Sequence, residues 1–154
     1  MAKRTVRVFL DSNVIISGIL SDRGSPRIIL DILCLGLPFL IGITGRYNIL
    51  EIERALRRKA PKVIPIYQTY LPELNLEIVP IPAKVELKPY HGYTCEKDVP
   101  VLVSAINGKA DFLVTGDKKD FAKLKRINDM PIRILSPSEC IEVIGEFLED
   151  FQKG

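Results

Sequence analysis

Four acidic residues stand at places in the chain where a carboxylate can do chemistry. Asp11 directly follows the run Thr5 to Leu10, and Asp117 follows Phe112 to Gly116. Both runs are short and rich in β-branched or aromatic residues, and both stop abruptly, which is strand chemistry. Asp98 opens an apolar stretch as a good N-cap, and Glu51 lies in a helical pattern. If the two strands are neighbours in a parallel sheet, Asp11 and Asp117 share the crevice beyond the strand ends, where such sheets bind ligands. Two unit charges about 4 Å apart repel by roughly 4 kcal/mol at an effective dielectric of about 20, so gathered carboxylates call for a cation. Oxygen donors with no histidine or cysteine nearby select Mg²⁺ or Mn²⁺ over zinc or copper. Such an ion activates water and stabilises charge on an attacked phosphodiester.

Each acid also has a structural account. Asp11 with Asn13 can form an Asx turn, Asp98 can cap its helix, and Glu51 can pair with Arg54 on a solvated helix surface. Thr115 can turn its hydroxyl toward the acids or bond locally. Asp120 either joins the site as an outer ligand or caps a short helix holding Phe121 and Leu124, and capping is the expectation. His91 is the only histidine and has no catalytic companion, so it is read as incidental.

The elements that must position these residues follow from periodicity and punctuation. Asp11-Ser12-Asn13 reads as a loop after the first strand. Ser25-Pro26 opens a helix near 25–35 that stops at Gly36, a strand follows over 39–43, and a helix over 45–59 closes at Pro61. Residues 60–95 are cut by six prolines and read as a short helix near 65–71, a strand near 76–79 and a loop. A helix then runs from Asp98 to Asn107-Gly108, with strands over 112–115 and 132–135. Ser136-Pro137-Ser138-Glu139 matches a capping box opening a last helix. Strands alternating with helices imply βαβ units and a mainly parallel sheet covered on both faces.

A length of 154 residues suits a single domain, and 47% hydrophobic with 27% charged residues excludes a disordered chain. No apolar stretch approaches the roughly 20 residues of a membrane span. The run after Lys3 and Arg4 is broken by Asp11, which does not suit a secretory signal, so a cytoplasmic location is expected. Cys34, Cys95 and Cys140 form no CxxC pair and read as small core residues. The net charge of +3 is unevenly spread: Arg54, Arg57, Arg58, Lys59 and Lys62 crowd one segment, Lys118, Lys119, Lys123, Lys125 and Arg126 another. Such clusters either meet phosphate backbones and acidic partners or are solvated helix faces.

Val-Phe-Leu-Asp11-Ser-Asn13 resembles the opening of PIN domains, and Val-Thr115-Gly-Asp117-Lys-Lys-Asp120 their closing motif. Glu51-Ile-Glu-Arg-Ala-Leu and Asp98-Val-Pro-Val-Leu-Val are similar to the two acidic segments between. The resemblance spans about residues 5–135 and implies a three-layer α/β/α sandwich of Rossmann-like character over the single domain 1–154. It also implies Mg²⁺- or Mn²⁺-dependent cleavage of RNA, and often a VapC-like toxin role beside an antitoxin. By position Asp11, Glu51, Asp98 and Asp117 are then the catalytic and metal-binding acids, with Asn13 and Thr115 in support. Glu53 and Glu96 compete with Glu51 and Asp98. The basic face with Arg54, Arg57 and Arg58 is expected to meet RNA or an antitoxin, and relatives commonly form homodimers. The competing functions are an inactive PIN module binding RNA or protein, and a haloacid-dehalogenase-like phosphatase. Asn13 tells against the phosphatase, whose second acid an amide cannot replace.

Overall fold

β1 (Val6–Leu10) turns Val6, Val8 and Leu10 into one core cluster and Phe9 into another, so apolar packing covers both faces of the sheet. In this computed structural model, residues 5–117, 121 and 132–153 are described. The readings of Lys118, Lys119, Asp120, Lys123, Leu124, Lys125 and Arg126 lie outside them.

β2 (Leu40–Gly45), β3 (Glu77–Val79), β4 (Phe112–Val114) and β5 (Arg133–Leu135) join β1 in a parallel sheet ordered β3-β2-β1-β4-β5. Phe9 stands opposite Ile43 on one side and Leu113 on the other. A central strand buried on both faces reads as a continuous apolar run, which Val-Arg-Val-Phe-Leu nearly is. Its one charged member, Arg7, donates to the Gly108 carbonyl and to Glu77, tying β1 to the sheet edge.

Seven α-helices are described: α1 (Ser12–Leu20), α2 (Ser25–Cys34), α3 (Arg46–Lys59), α4 (Ile64–Tyr70), α5 (Lys84–Leu87), α6 (Val99–Asn107) and α7 (Pro137–Lys153). Ile15, Leu30, Ile52, Tyr67 and Ile144 carry α1, α2, α3, α4 and α7 into the first cluster. Val101, Leu102 and Ala105 carry α6 into the second. The result is the expected α/β/α sandwich. Among the described residues no helix is long and apolar enough to cross a membrane.

Four local readings are corrected. The stretch after Asp11 is a helix, not a loop, and its apolar residues surround it without a polar stripe that would betray the period. Gly18 lets it approach α2, since a side chain there would collide with Leu30. The loop expected before residue 95 contains α5 and a 3₁₀ turn over Lys88–Tyr90, and a further 3₁₀ turn over Glu96–Asp98 leads into α6. Of the cysteines only Cys140 is buried, while Cys34 is half-buried and Cys95 exposed. Asp98 occupies the N-cap position of α6 without making a side-chain capping bond. The capping box is as expected: Glu139 accepts from the Ser136 N–H at 2.8 Å, and Ser136 Oγ accepts from the Glu139 N–H at 3.2 Å.

The chain runs outward from β1 to β2 and β3, then returns to β4 on the other side of β1. That reversal opens a crevice at the carboxyl ends of β1 and β4.

Candidate functional site

Asp11 sits at the mouth of this crevice as the N-cap of α1. Its backbone N–H donates to the Val114 carbonyl at 2.9 Å, which continues the β1–β4 pairing up to the acid itself. One carboxylate oxygen, Oδ1, accepts from the Ser12 N–H at 2.8 Å and from Asn48 Nδ2 at 3.3 Å. The other, Oδ2, accepts from the Thr115 hydroxyl at 2.8 Å. Asp11 is therefore gripped from α1, α3 and the end of β4 at once.

The same bonds position the neighbours. Thr115 Oγ1 accepts from the Asp117 N–H at 3.1 Å and from Asn13 Nδ2 at 3.4 Å, while Asn13 Oδ1 accepts from the Gly116 N–H at 2.9 Å. Asn13 thus braces the loop that carries Asp117, and the Asx-turn reading gives way to a tertiary one. Ser12 Oγ donates to Glu51 Oε1 at 2.9 Å and accepts from Asn48 Nδ2 at 2.8 Å. Glu51 accordingly reaches across to α1.

Asp11, Glu51, Asp98 and Asp117 line one cavity of about 440 Å³, together with Asn13, Lys59 and Lys97. Asp11 is buried, whereas Glu51, Asp98 and Asp117 are half-buried. Glu53 and Arg57 line a separate pocket with Tyr67, and Glu96 pairs with His91 at 3.2 Å in the open. Both rival acids are thereby removed from the cavity. Arg54, Arg57 and Arg58 are exposed on α3 and do not line it. Sequence reasoning missed Asn48, a fully buried amide beside Ile49 and Ile52 on the inward side of α3. A polar residue in that apolar stripe was the available signal. It also missed that Ser12 bridges two of the acids and that Lys59 and Lys97 face the same space.

Burial raises the Asp11 carboxyl from its ordinary 3.8 to about 6, against the lowering effect of the Thr115 and Ser12 hydrogen bonds. The nearby charges of Glu51 and Asp117 push it the same way. Tyr47, beside them on α3, is also raised, first by desolvation and then by Glu51 and Asp98. The smaller part of both shifts comes from neighbouring carboxylates, whose charge a cation would relieve. Among the described residues no three His, Cys, Asp or Glu side chains stand close enough together to ligate one ion at once. The donor set fits a hard divalent ion such as Mg²⁺, which keeps several waters and takes one or two carboxylates directly.

A family model described as PIN domain matches residues 7–119. No curated protein matches the chain. Among solved structures, 85% of the chain matches 98% of a chain from VapBC2 of Rickettsia felis bound to a DNA fragment from their promoter, with TM-score 0.59 and 19% identity. DNA-bound VapBC from Salmonella typhimurium matches 86% of the chain over 99% of its own, with TM-score 0.61 and 14% identity. VapBC-1 from nontypeable Haemophilus influenzae gives the same coverage, score and identity. At such identities these likenesses speak for the fold.

Proposed function

The chain belongs to the PIN domain family, and from that premise we propose that it is a Mg²⁺- or Mn²⁺-dependent endoribonuclease, the toxin of a toxin–antitoxin pair. The observation that carries the reading is the shared cavity of Asp11, Glu51, Asp98 and Asp117 at the reversal of strand order. Asp11 is the anchoring ligand, held rigid by Ser12, Asn48 and Thr115. Among the described residues Ser12 occupies only Oε1 of Glu51, which leaves Oε2 to accept a proton from water or to meet an ion. Asp98 and Asp117 close the cavity from α6 and from the β4 loop. A bound Mg²⁺ or Mn²⁺ supplies an activated water and neutralises charge building on the attacked phosphate.

All of 1–154 acts as one domain in this reading, since α7, beyond the matched segment, buries Cys140 and Ile144 in the same core cluster as β1. An antitoxin and a second copy of the chain are the proposed protein partners, in a cytoplasmic setting that suits three free cysteines. The exposed Arg54, Arg57 and Arg58 are the proposed contact for RNA or for an acidic antitoxin segment. Reversing Arg57 and Arg58 together to glutamate is expected to weaken RNA or antitoxin binding and flatten its salt dependence. Affinity and salt slope equal to the parent's would remove the arginines from the account.

The purified protein is expected to cut RNA internally with Mn²⁺, to stop when EDTA is added, and to leave small phosphate monoesters intact. RNA bound but uncut under Mn²⁺ would favour the inactive module. Turnover of a monoester without RNA cleavage would favour the phosphatase, although Asn13, spent on Gly116 and Thr115, offers it no second acid.

A further inference from the structure

The acid-lined cavity also carries two cations. Lys59 ends α3 two turns beyond Glu51, on the same face and with the small Ala55 between them. It is exposed and forms no ion pair with any described residue, so it is not spent on neutralising a neighbour. Lys97 directly precedes Asp98 on the facing wall, and its carbonyl accepts from the Tyr47 hydroxyl at 3.2 Å. Tyr47 belongs to the first turn of α3, so the Lys97 backbone lies one tyrosine side chain away from the start of that helix, whereas Lys59 is at its end. The rise of an α-helix puts roughly 18 Å between the Tyr47 and Lys59 levels of α3, with Glu51 in between.

We infer that Lys59 and Lys97 hold phosphates of one polynucleotide strand on the two sides of the bond to be cut. This inference rests on the ribonuclease reading of the cavity. A polyanion drawn across four carboxylates is repelled everywhere except at the bound ion. Cations at both ends of the acidic stretch supply the missing attraction and align the strand along α3. A strand held on both sides is cut internally, and the lysines act on its binding more than on the chemical step.

The test uses the full chain, with a fluorescent single-stranded RNA as the binding probe in EDTA and as the substrate in Mn²⁺. Lys59→Gln and Lys97→Gln are each expected to weaken binding about tenfold and raise KM in step, with kcat little changed. Each also lowers the slope of log affinity against log salt by about 0.7, the loss of one phosphate contact on a single strand. Lys59→Arg and Lys97→Arg restore affinity and slope, which a merely structural role would not require. Both glutamine variants matching the parent's KM and salt slope, in a protein that cleaves the RNA, would overturn the inference and leave the nuclease standing. A parent that neither binds nor cleaves RNA would remove both.

Discussion

Asp98→Asn is expected to lower Mn²⁺-dependent RNA cleavage on the order of 10²- to 10³-fold, because it weakens the hold on the ion that would stabilise developing charge. The thermal midpoint should hardly move. Asp98 stands at the N-cap position of α6 but makes no capping bond, and asparagine is as good a residue there as aspartate. The change therefore deletes one negative charge from the cavity wall while nearly keeping the side chain's shape. Cleavage within a factor of about three of the parent would take Asp98 out of the site. A large fall in the midpoint would mean its role is structural.

Asp11→Asn is expected to abolish cleavage and yet stabilise the metal-free protein. The buried carboxyl titrates at about 6 in the folded chain against an ordinary 3.8. The folded protein thus takes up a proton below about pH 6 that the unfolded chain binds only near pH 3.8. The stability owed to this group is complete below about 3.8 and is lost as pH rises through about 6. Near pH 7 the charged form costs about 3 kcal/mol. An amide cannot ionise and escapes that cost. Part is given back, because Thr115 Oγ1 already accepts from Asp117 and Asn13 and would meet a third donor. A net gain of about 1–2 kcal/mol, or a few degrees in Tm, remains. Added Mn²⁺ should raise the parent's midpoint at pH 7 and leave the variant's unchanged, since the ion needs the deprotonated ligand. A variant less stable than the parent at pH 7, in a parent whose stability ignores pH between 4 and 6, would refute the assignment of a strained, charged Asp11.

Much of this arrangement was written in short-range signals. The strands before Asp11 and Asp117 are apolar runs that end at polar residues, and the reversal rule alone brings those two acids to one crevice. The capping box at Ser136 and Glu139 is a local code and reads correctly. The bonds that hold the acids are a different matter. Thr115 and Asp11 are 104 residues apart, and Asn48 and Ser12 are 36 apart, so no window of sequence contains either pair. α1 was illegible because it is apolar on most sides, which erases the periodicity that betrays a surface helix. In the proline-rich segment α5 and the 3₁₀ turns are too short to show a period at all. Cys95 reads as a core residue only because it has no CxxC partner, and it lies in the exposed turn leading to Asp98.

The most direct measurement is anomalous diffraction from crystals of the parent protein grown with Mn²⁺. One strong manganese peak is expected inside the acidic cavity, about 2.1 Å from an oxygen of Asp11 and bonded to at least one of Glu51, Asp98 and Asp117, with water completing the shell. Manganese bound elsewhere, or a cavity whose acids turn away from one another under saturating Mn²⁺, would contradict it.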